Sequence, residues 1–324
     1  KRFRNTHGGR SLDYTLQVKA GVPYDIELDF EYFRSDAQLN FDIGFKQKVN
    51  IDASVACVKD ADVVVFAGGI SPLLEGEEMG VNLPGFRGGD RTDIELPAVQ
   101  RELIHALHRA GKKIILVNCS GSPIALEPET KNCEAILQAW YPGQAGGTAV
   151  ADVLFGDYNP GGRLPVTFYR NMSQLPDFED YNMTGRTYRY MTQQPLFPFG
   201  YGLSYTTFEY GNLSLTKEQI KVGEPLKLTV NVTNNGQRDG EEVVQVYLKK
   251  QDDAEGPGKT LRAFKRVRIP AGKSVEVVFD LNGKELEWWD AQSNTMRVCA
   301  GRYDVMVGKS SQDRDLQRRS FVIE

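Results

Sequence analysis

Between Asn50 and Val166, helical segments alternate with short apolar runs. NIDASVACVKDA and AVQRELIHALHRAG carry apolar residues at helical spacing, whereas ADVVVFAGG and KKIILVNCSG are β-branched runs of strand length. A short strand in CEAILQAWY, a helix over GGTAVADVLFGD ending near Gly156, and the apolar segment LPVTFY follow. This alternation predicts an αβα sandwich with a mostly parallel sheet. Its first strand is expected to be buried on both faces.

The loop that follows the first strand, from Gly68 to Pro97, is rich in charge. Its notable charged residues are Glu75, Glu77, Glu78, Asp90 and Arg91. Ligands of parallel sheets gather at the carboxyl ends of the strands, which here carry GGISPLLEGEE, NCSGSP and WYPGQAGG. We therefore expect three loops to meet at one rim. A carboxylate cluster there is a candidate site, although acidic loops are more often solvated surface.

The segments on either side of the sandwich have other patterns. YTLQV, PYDIELDFEYF and AQLNFDIGF alternate apolar and polar residues and predict two or three antiparallel strands, the end of a β domain. Residues 167–209 are aromatic and turn-rich, typical of a strap packed against a neighbour. LSLT, EPLKLTVNVTN, GEEVVQVYLKK, KSVEVVFDL, LEWWD and GRYDVMVG then predict an antiparallel sandwich. The predicted domains are residues 1–49, 50–166, 167–209 and 210–324.

Composition and charge exclude several functions. The 324 residues are 40% hydrophobic and 25% charged, as in soluble proteins with two or three cores. A net charge of −4 without a long basic run argues against nucleic acid as a partner. No stretch approaches the roughly 18 apolar residues of a membrane-spanning helix. The four cysteines are scattered and no histidine has metal-ligand spacing, so neither metal nor cofactor is expected. Cys119 and Cys133 are interpreted as small buried hydrophobes, with disulfide pairing left open.

A dinucleotide site, a serine nucleophile and a histidine metal site are each disfavoured. ADVVVFAGGISP lacks the third glycine of a dinucleotide-binding turn and leads into an acidic loop. Ser120 and Ser122 lie outside any G-x-S-x-G motif and have no histidine placed to serve them. His105 and His108 share a helix face and are interpreted as surface or half-buried residues rather than metal ligands.

Several long motifs occur in a familiar order. They are LLEGEEM before GGDRTDIELP, ILVNCSGSPIAL, WYPGQAGGTAVADVLFGDYNPGGRLPVTF, RTYRY, PFGYGLSYTTFEY and VTNNGQRDGEEVVQVYL. Together they resemble the C-terminal half of glycoside hydrolase family 3. The resemblance implies an αβα sandwich and a fibronectin type III-like domain, accompanied by a TIM-like barrel that has no counterpart here. Residues 1–49 are similar to the end of a PA14-type insert of some members.

The resemblance also implies the chemistry, which is retaining glycoside hydrolysis. In the family the barrel supplies the nucleophilic aspartate, so no nucleophile is assigned in this chain. A loop of the sandwich supplies the general acid/base, and the matching position is Glu75, with Glu77 and Glu78 as alternatives. Asp90 and Arg91 are interpreted as a structural ion pair that fixes the loop, or as a wall of a sugar subsite. No cofactor is implied.

The expected function is the C-terminal portion of an exo-acting β-glycosidase, with β-xylosides as first substrates and β-glucosides second. Its partners would be a glycoside substrate and the barrel of the same protein, in the periplasm or outside the cell, with homo-oligomers left open. This chain alone is expected to be inactive. The alternative is a non-catalytic carbohydrate-binding or scaffolding module, in which Trp140, Tyr141, Trp288 or Trp289 would stack on sugar rings.

Overall fold

The computed structural model describes residues 14–29, 41, 43–45, 47–77 and 79–324. The chain divides into two units, Lys1–Lys48 and Val49–Glu324. In the described part of the first unit there is a turn at residues 20–21 and no strand. The prediction of antiparallel strands is therefore wrong for these residues, and the rest of it lies outside the described residues. A strand needs a hydrogen-bonded neighbour. The alternating apolar side chains that predicted strands here, such as Leu16 and Val18, are exposed.

The second unit contains every helix and strand of the described residues. Up to residue 190 they are α1 (Ile51–Cys57), β1 (Val63–Gly69), α2 (Pro72–Glu75), β2 (Asn82–Leu83), β3 (Phe86–Arg87), β4 (Asp90–Arg91), α3 (Ala98–Arg109), β5 (Lys113–Cys119), α4 (Glu129–Asn132), β6 (Ala135–Gln138), α5 (Gly146–Phe155) and α6 (Thr187–Tyr190). After residue 190 they are β7 (Phe208–Tyr210), β8 (Ser214–Leu215), β9 (Gln219–Ile220), β10 (Leu226–Asn234), β11 (Gly240–Lys250), β12 (Thr260–Ile269), β13 (Ser274–Leu281), α7 (Gly283–Leu286), β14 (Glu287–Asp290), β15 (Thr295–Val298), β16 (Gly301–Gly308) and β17 (Leu316–Ile323). Two short 3-10 turns cover Met172–Gln174 and Asp313–Asp315. None of these helices is long and apolar enough to cross a membrane.

The first half of this unit is built on a parallel sheet in the order β1-β5-β6. The register pairs Val63 with Lys113 and Gly69 with Cys119, so the two strands end side by side. Helices α1 and α3 contact each other. The predicted alternation of helices and parallel strands is confirmed. The core consists of fully buried residues from α3, β5 and the loops around them: Ile70, Phe86, Leu96, Ile104, Leu107, Ile114, Leu116, Ile124 and Leu126.

Strand β1 departs from the prediction. Its Val63 and Val65 side chains are 45% and 52% exposed, whereas Val64 and Phe66 pack against the core. Within the described residues β1 lies at the sheet edge and only its alternate side chains meet a helix, so burial on both faces is wrong for β1. LPVTFY forms an isolated bridge from Phe168 to Phe197 rather than a sheet strand.

The second half is the predicted antiparallel sandwich. One sheet has the order β13-β10-β7 with β8 beside β10, and the other has the order β12-β11-β16-β17-β9. Alternate residues of β10 from Leu226 to Asn234 are buried, and they face the buried residues of the second sheet, such as Val244, Val246 and Val305. Strands β12 and β17 were missed in the sequence because arginines and lysines interrupt their apolar residues.

The aromatic strap contacts both halves of the unit. Phe168 of the strap meets Trp140, which follows β6, edge to face at 6.1 Å between ring centroids. Phe199 stacks on Tyr188 at 4.4 Å, and Tyr188 meets Tyr247 of β11 at 5.8 Å. Such aromatic pairs add to the free energy of area burial. The strap therefore holds the parallel sheet and the antiparallel sandwich together.

Candidate active site

Glu75 ends a one-turn helix placed just beyond β1. The Ser71 hydroxyl caps the helix by accepting a backbone N–H at 3.2 Å, and Pro72 occupies the first helical position, where it needs no hydrogen-bond partner. The helix stops at Gly76, whose φ of 67° is left-handed. A Cβ at Gly76 would also lie 2.3 Å from a methyl carbon of Val81. Glycine is therefore required at the point where the chain turns back behind Glu75.

Both carboxylate oxygens of Glu75 accept hydrogen bonds. The Ser122 hydroxyl donates to Oε1 at 3.2 Å, and the Tyr141 hydroxyl donates to Oε2 at 2.8 Å. Behind Ser122, Nη1 of Arg91 donates to the Ser122 hydroxyl at 3.0 Å and to the Pro123 carbonyl at 3.1 Å. Four side chains distant in sequence thus form one connected network.

This network confirms that the three loops meet at one rim. Glu75 follows β1, Ser122 follows β5 and Tyr141 follows β6. The base of the rim is fixed because the Gln100 side chain donates to the Gly69 carbonyl at 2.8 Å and accepts from the Gly69 N–H at 2.7 Å. The parallel register brings the strand ends together, as such sheets do.

The acidic loop returns to the sheet through the hairpin β2-β3-β4. Asp90 and Arg91 form no ion pair with each other, so that prediction is wrong. Consecutive side chains of a strand point to opposite sides, and Asp90 is exposed while Arg91 turns inward to Ser122. Burial lowers the pKa of the Arg91 guanidinium, against the raising effect of the Asp93 and Glu75 carboxylates. Arg91 therefore fixes the loop through a neutral hydroxyl.

The segment after the hairpin is anchored by charge. Nη1 of Arg101 contacts Glu95 at 2.6 Å and its Nε contacts the fully buried Glu129 at 2.9 Å. A backbone bridge joins Glu95 to Ala125. Glu95, Arg101 and His105 line part of a cavity of about 590 Å³ beside α3. The bonds of Arg101 to Glu95 and Glu129 give the acidic loop a rigid second attachment point.

The other glutamates of the loop differ from Glu75. Glu77 is exposed and makes no hydrogen bond or ion pair with the part of the chain that the structure describes. Glu78 lies outside the described residues. Of the two described glutamates, Glu75 is the one whose oxygens are held by partners from other loops.

Tyr141 was named from the sequence only as a sugar platform, and its contact with Glu75 was missed. The backbone of Trp140 has a φ of 57°, a left-handed conformation that strains a bulky residue and is often found at functional sites. Partial burial, and then the hydrogen bond to Glu75, raise the pKa of Tyr141 to about 12. A Cβ at Gly121 would lie 2.7 Å from the Tyr141 ring. No sequence pattern links these residues except their positions after strand ends.

Three other residues were singled out from the sequence as candidates: Ser120, Trp288 and Trp289. Ser120 is fully buried and accepts from the amides of Asn118 at 3.3 Å and Gln138 at 3.1 Å. Trp288 is 2% exposed and donates to Asp253 at 2.6 Å, so it cannot stack on a sugar. Trp289 is 51% exposed.

The four cysteines are free thiols. Cys119 and Cys133 are half-buried rather than fully buried as predicted. Burial, and then the nearby Glu129 charge, raise the pKa of Cys133 to about 12. This thiol is therefore a poor nucleophile at neutral pH.

Comparison with known proteins places the chain among glycosidases. Residues 5–205 match the model of the glycosyl hydrolase family 3 C-terminal domain, and residues 242–311 match that of a fibronectin type III-like domain. A xylan 1,4-beta-xylosidase of Xylanibacter ruminicola is 52% identical over 309 residues, which are 95% of this chain and 36% of that protein. A periplasmic beta-glucosidase of Salmonella typhimurium is 38% identical over 278 residues, 81% of this chain and 34% of that protein.

The similarity to known proteins extends to a solved structure. The beta-glucosidase EmGH1 of Erythrobacter marinus superposes with a TM-score of 0.73 at 37% identity, covering 85% of this chain and 36% of that one. The chain thus spans about a third of the length of each of these relatives.

Proposed function

This chain belongs to glycoside hydrolase family 3, and we propose that it is the C-terminal portion of a retaining, exo-acting β-glycosidase in which Glu75 is the general acid/base. One observation carries the assignment. Glu75 is the half-buried carboxylate at the junction of three strand-end loops, held by Ser122 and Tyr141. Glu77 and Glu78 stay as alternatives, because all three glutamates share one loop.

The proposed mechanism needs two carboxyl groups about 5–5.5 Å apart. One, on a barrel domain outside this chain, attacks the anomeric carbon. Glu75 gives its proton to the departing glycosidic oxygen and then takes a proton from the water that hydrolyses the glycosyl-enzyme. Glu75 thereby returns to its protonated form after each cycle. The longer relatives support a further domain of this kind.

The remaining parts of the chain have supporting roles in this proposal. Arg91 fixes the acid/base loop through Ser122, and the exposed Asp90 is placed to form the wall of a sugar subsite. Residues 1–49 are proposed as the end of a PA14-like insert, 50–166 as the sandwich that carries the acid/base, 167–209 as the strap and 210–324 as a stabilising domain. The periplasmic relative supports a location in the periplasm or outside the cell.

We propose β-xylosides as first substrates and β-glucosides as second. The order is supported by 52% identity to a xylosidase against 38% to a glucosidase. A pocket that accepts or rejects one hydroxymethyl group discriminates by only about 1–3 kcal/mol, so the order is open to direct measurement. Aryl β-xyloside, β-glucoside and α-arabinofuranoside should be compared on the full-length protein, and preference for the glucoside would reverse it.

The acid/base role is tested with Glu75→Gln in the full-length protein. We expect kcat/KM to fall about 10²–10⁴-fold on a glycoside with a poor leaving group, and far less on a dinitrophenyl glycoside, whose departure needs no proton. Azide should restore turnover by attacking the glycosyl-enzyme without help from a base.

Glu77→Gln is the matched control, since it removes a charge from the same loop, and it should keep the wild-type leaving-group dependence. If azide instead rescues Glu77→Gln and not Glu75→Gln, the role passes to Glu77.

A further inference from the structure

The hydrogens around Glu75 can be assigned from chemistry alone. A guanidinium only donates, so the Arg91 bond uses a lone pair of Ser122 and leaves the serine hydrogen for Oε1 of Glu75. The hydroxyl of Tyr141 gives its hydrogen to Oε2. Both oxygens of Glu75 therefore accept a hydrogen bond from a residue of another loop.

Tyr141 is fixed in this donor position. Its pKa of about 12 keeps the hydroxyl protonated at any pH at which a glycosidase would work. The bare Cα of Gly121 leaves room for the ring, because a Cβ there would be 2.7 Å from the ring and 3.3 Å from Oε2 of Glu75. The left-handed backbone of Trp140 directs the chain into this position. The hydroxyl is thus held at Glu75 by its hydrogen bond and by the room at Gly121, while 38% of Tyr141 is exposed.

We infer that Tyr141 is a positioning residue for the acid/base: its hydroxyl holds the Glu75 carboxyl group in one orientation by bonding Oε2, while Ser122 bonds Oε1. The inference rests on the proposed role of Glu75.

A Tyr141→Phe substitution removes one hydroxyl and changes no charge. It leaves the Ser122 bond to Oε1 and the Arg91 bond behind it in place. A kinetic change in that variant can thus be attributed to the missing hydroxyl.

The test measures kcat and KM of the full-length enzyme on an aryl glycoside with a poor leaving group. In Tyr141→Phe, kcat on this substrate should fall several-fold with little change in KM, because the carboxyl group is less well oriented. On a dinitrophenyl glycoside, whose departure needs no proton, kcat/KM should stay close to that of the wild type.

Gly121→Ala should lower kcat on the poor leaving group in the same way, because its methyl group pushes the ring away from Glu75. Tyr181→Phe is the matched control, since Tyr181 is 88% exposed, and its kinetic constants should equal those of the wild type.

The outcomes separate the inference from the proposed function. If Glu75→Gln shows the acid/base behaviour described above but Tyr141→Phe keeps the wild-type kcat on the poor leaving group, or loses as much on the dinitrophenyl glycoside, the inference is wrong and the proposed function stands. If Glu75→Gln keeps full activity on the poor leaving group, the proposed function itself fails. Thermal unfolding of each variant shows whether a loss of activity reflects a loss of folded enzyme.

Discussion

A buried ion pair where the parallel half meets the antiparallel sandwich gives a sharp stability prediction. Nη2 of Arg163 lies 2.9 Å from Oε2 of Glu242 on β11, with 8% and 2% of the two side chains exposed. Glu242 also accepts from the Val243 N–H at 3.0 Å. Burial raises the pKa of Glu242, and Arg163 opposes that rise. Replacing Arg163 by methionine leaves a buried carboxylate without its counter-charge.

We expect Arg163→Met to cost about 3–5 kcal/mol of unfolding free energy at pH 7.5, the usual loss when one partner of a buried pair is removed. Burial raises the pKa of Glu242 in the folded state, so near that pKa the folded protein binds more protons at this site than the unfolded chain does. Lowering the pH therefore favours the folded state at this site. The loss should therefore be greatest at neutral pH and shrink toward pH 5, where the carboxyl group is neutralised.

Chemical denaturation across this pH range measures the effect, with Arg163→Met/Glu242→Gln as the rescue variant. The double variant should recover more than half of the loss, since no uncompensated charge remains. Arg268→Met is the control, because its partner Asp239 is half-exposed and the pair should contribute nothing measurable. A loss below about 1 kcal/mol in Arg163→Met, or no rescue, would refute the reasoning from desolvation.

Two further predictions concern the chain by itself. Without a nucleophile, the isolated 324-residue chain should not hydrolyse aryl β-xylosides or β-glucosides, and Glu75-dependent turnover would show that the nucleophile lies within it. A disulfide exchange reagent at pH 8 should modify the exposed Cys57 at least ten times faster than Cys133, whose pKa is about 12; equal rates would contradict the burial of Cys133.

The layout of the fold could be predicted because it depends on local patterns. The apolar spacing of α3 and the β-branched runs of β1 and β5 are visible in the sequence, and the rules for parallel sheets then place the three strand-end loops together. Neighbour-dependent features could not be predicted in the same way. Whether Val63 is covered depends on what packs on that face of β1, which no local pattern records.

The same distinction between local patterns and distant neighbours applies to the candidate site. The sequence indicated an acid in the loop and selected Glu75 through a family resemblance, but it paired Asp90 with Arg91 because the two charges are adjacent. In a strand that adjacency separates them, and the guanidinium reaches a serine 31 positions further on. The bond from Tyr141 to Glu75 spans 66 positions. Both contacts follow from sheet register rather than from residue order.

We expect the orientation of Glu75 to be set within this chain, because its partners Ser122 and Tyr141 follow two strands of the same parallel sheet. In the proposed mechanism, the distance between the two catalytic carboxyl groups depends instead on how the proposed barrel docks on the sandwich. A change at that docking surface should lower kcat/KM on every substrate, including a dinitrophenyl glycoside, because it misplaces the nucleophile. A change at Tyr141 should lower turnover only where the leaving group needs a proton. The two kinds of defect are therefore separable by their dependence on the leaving group.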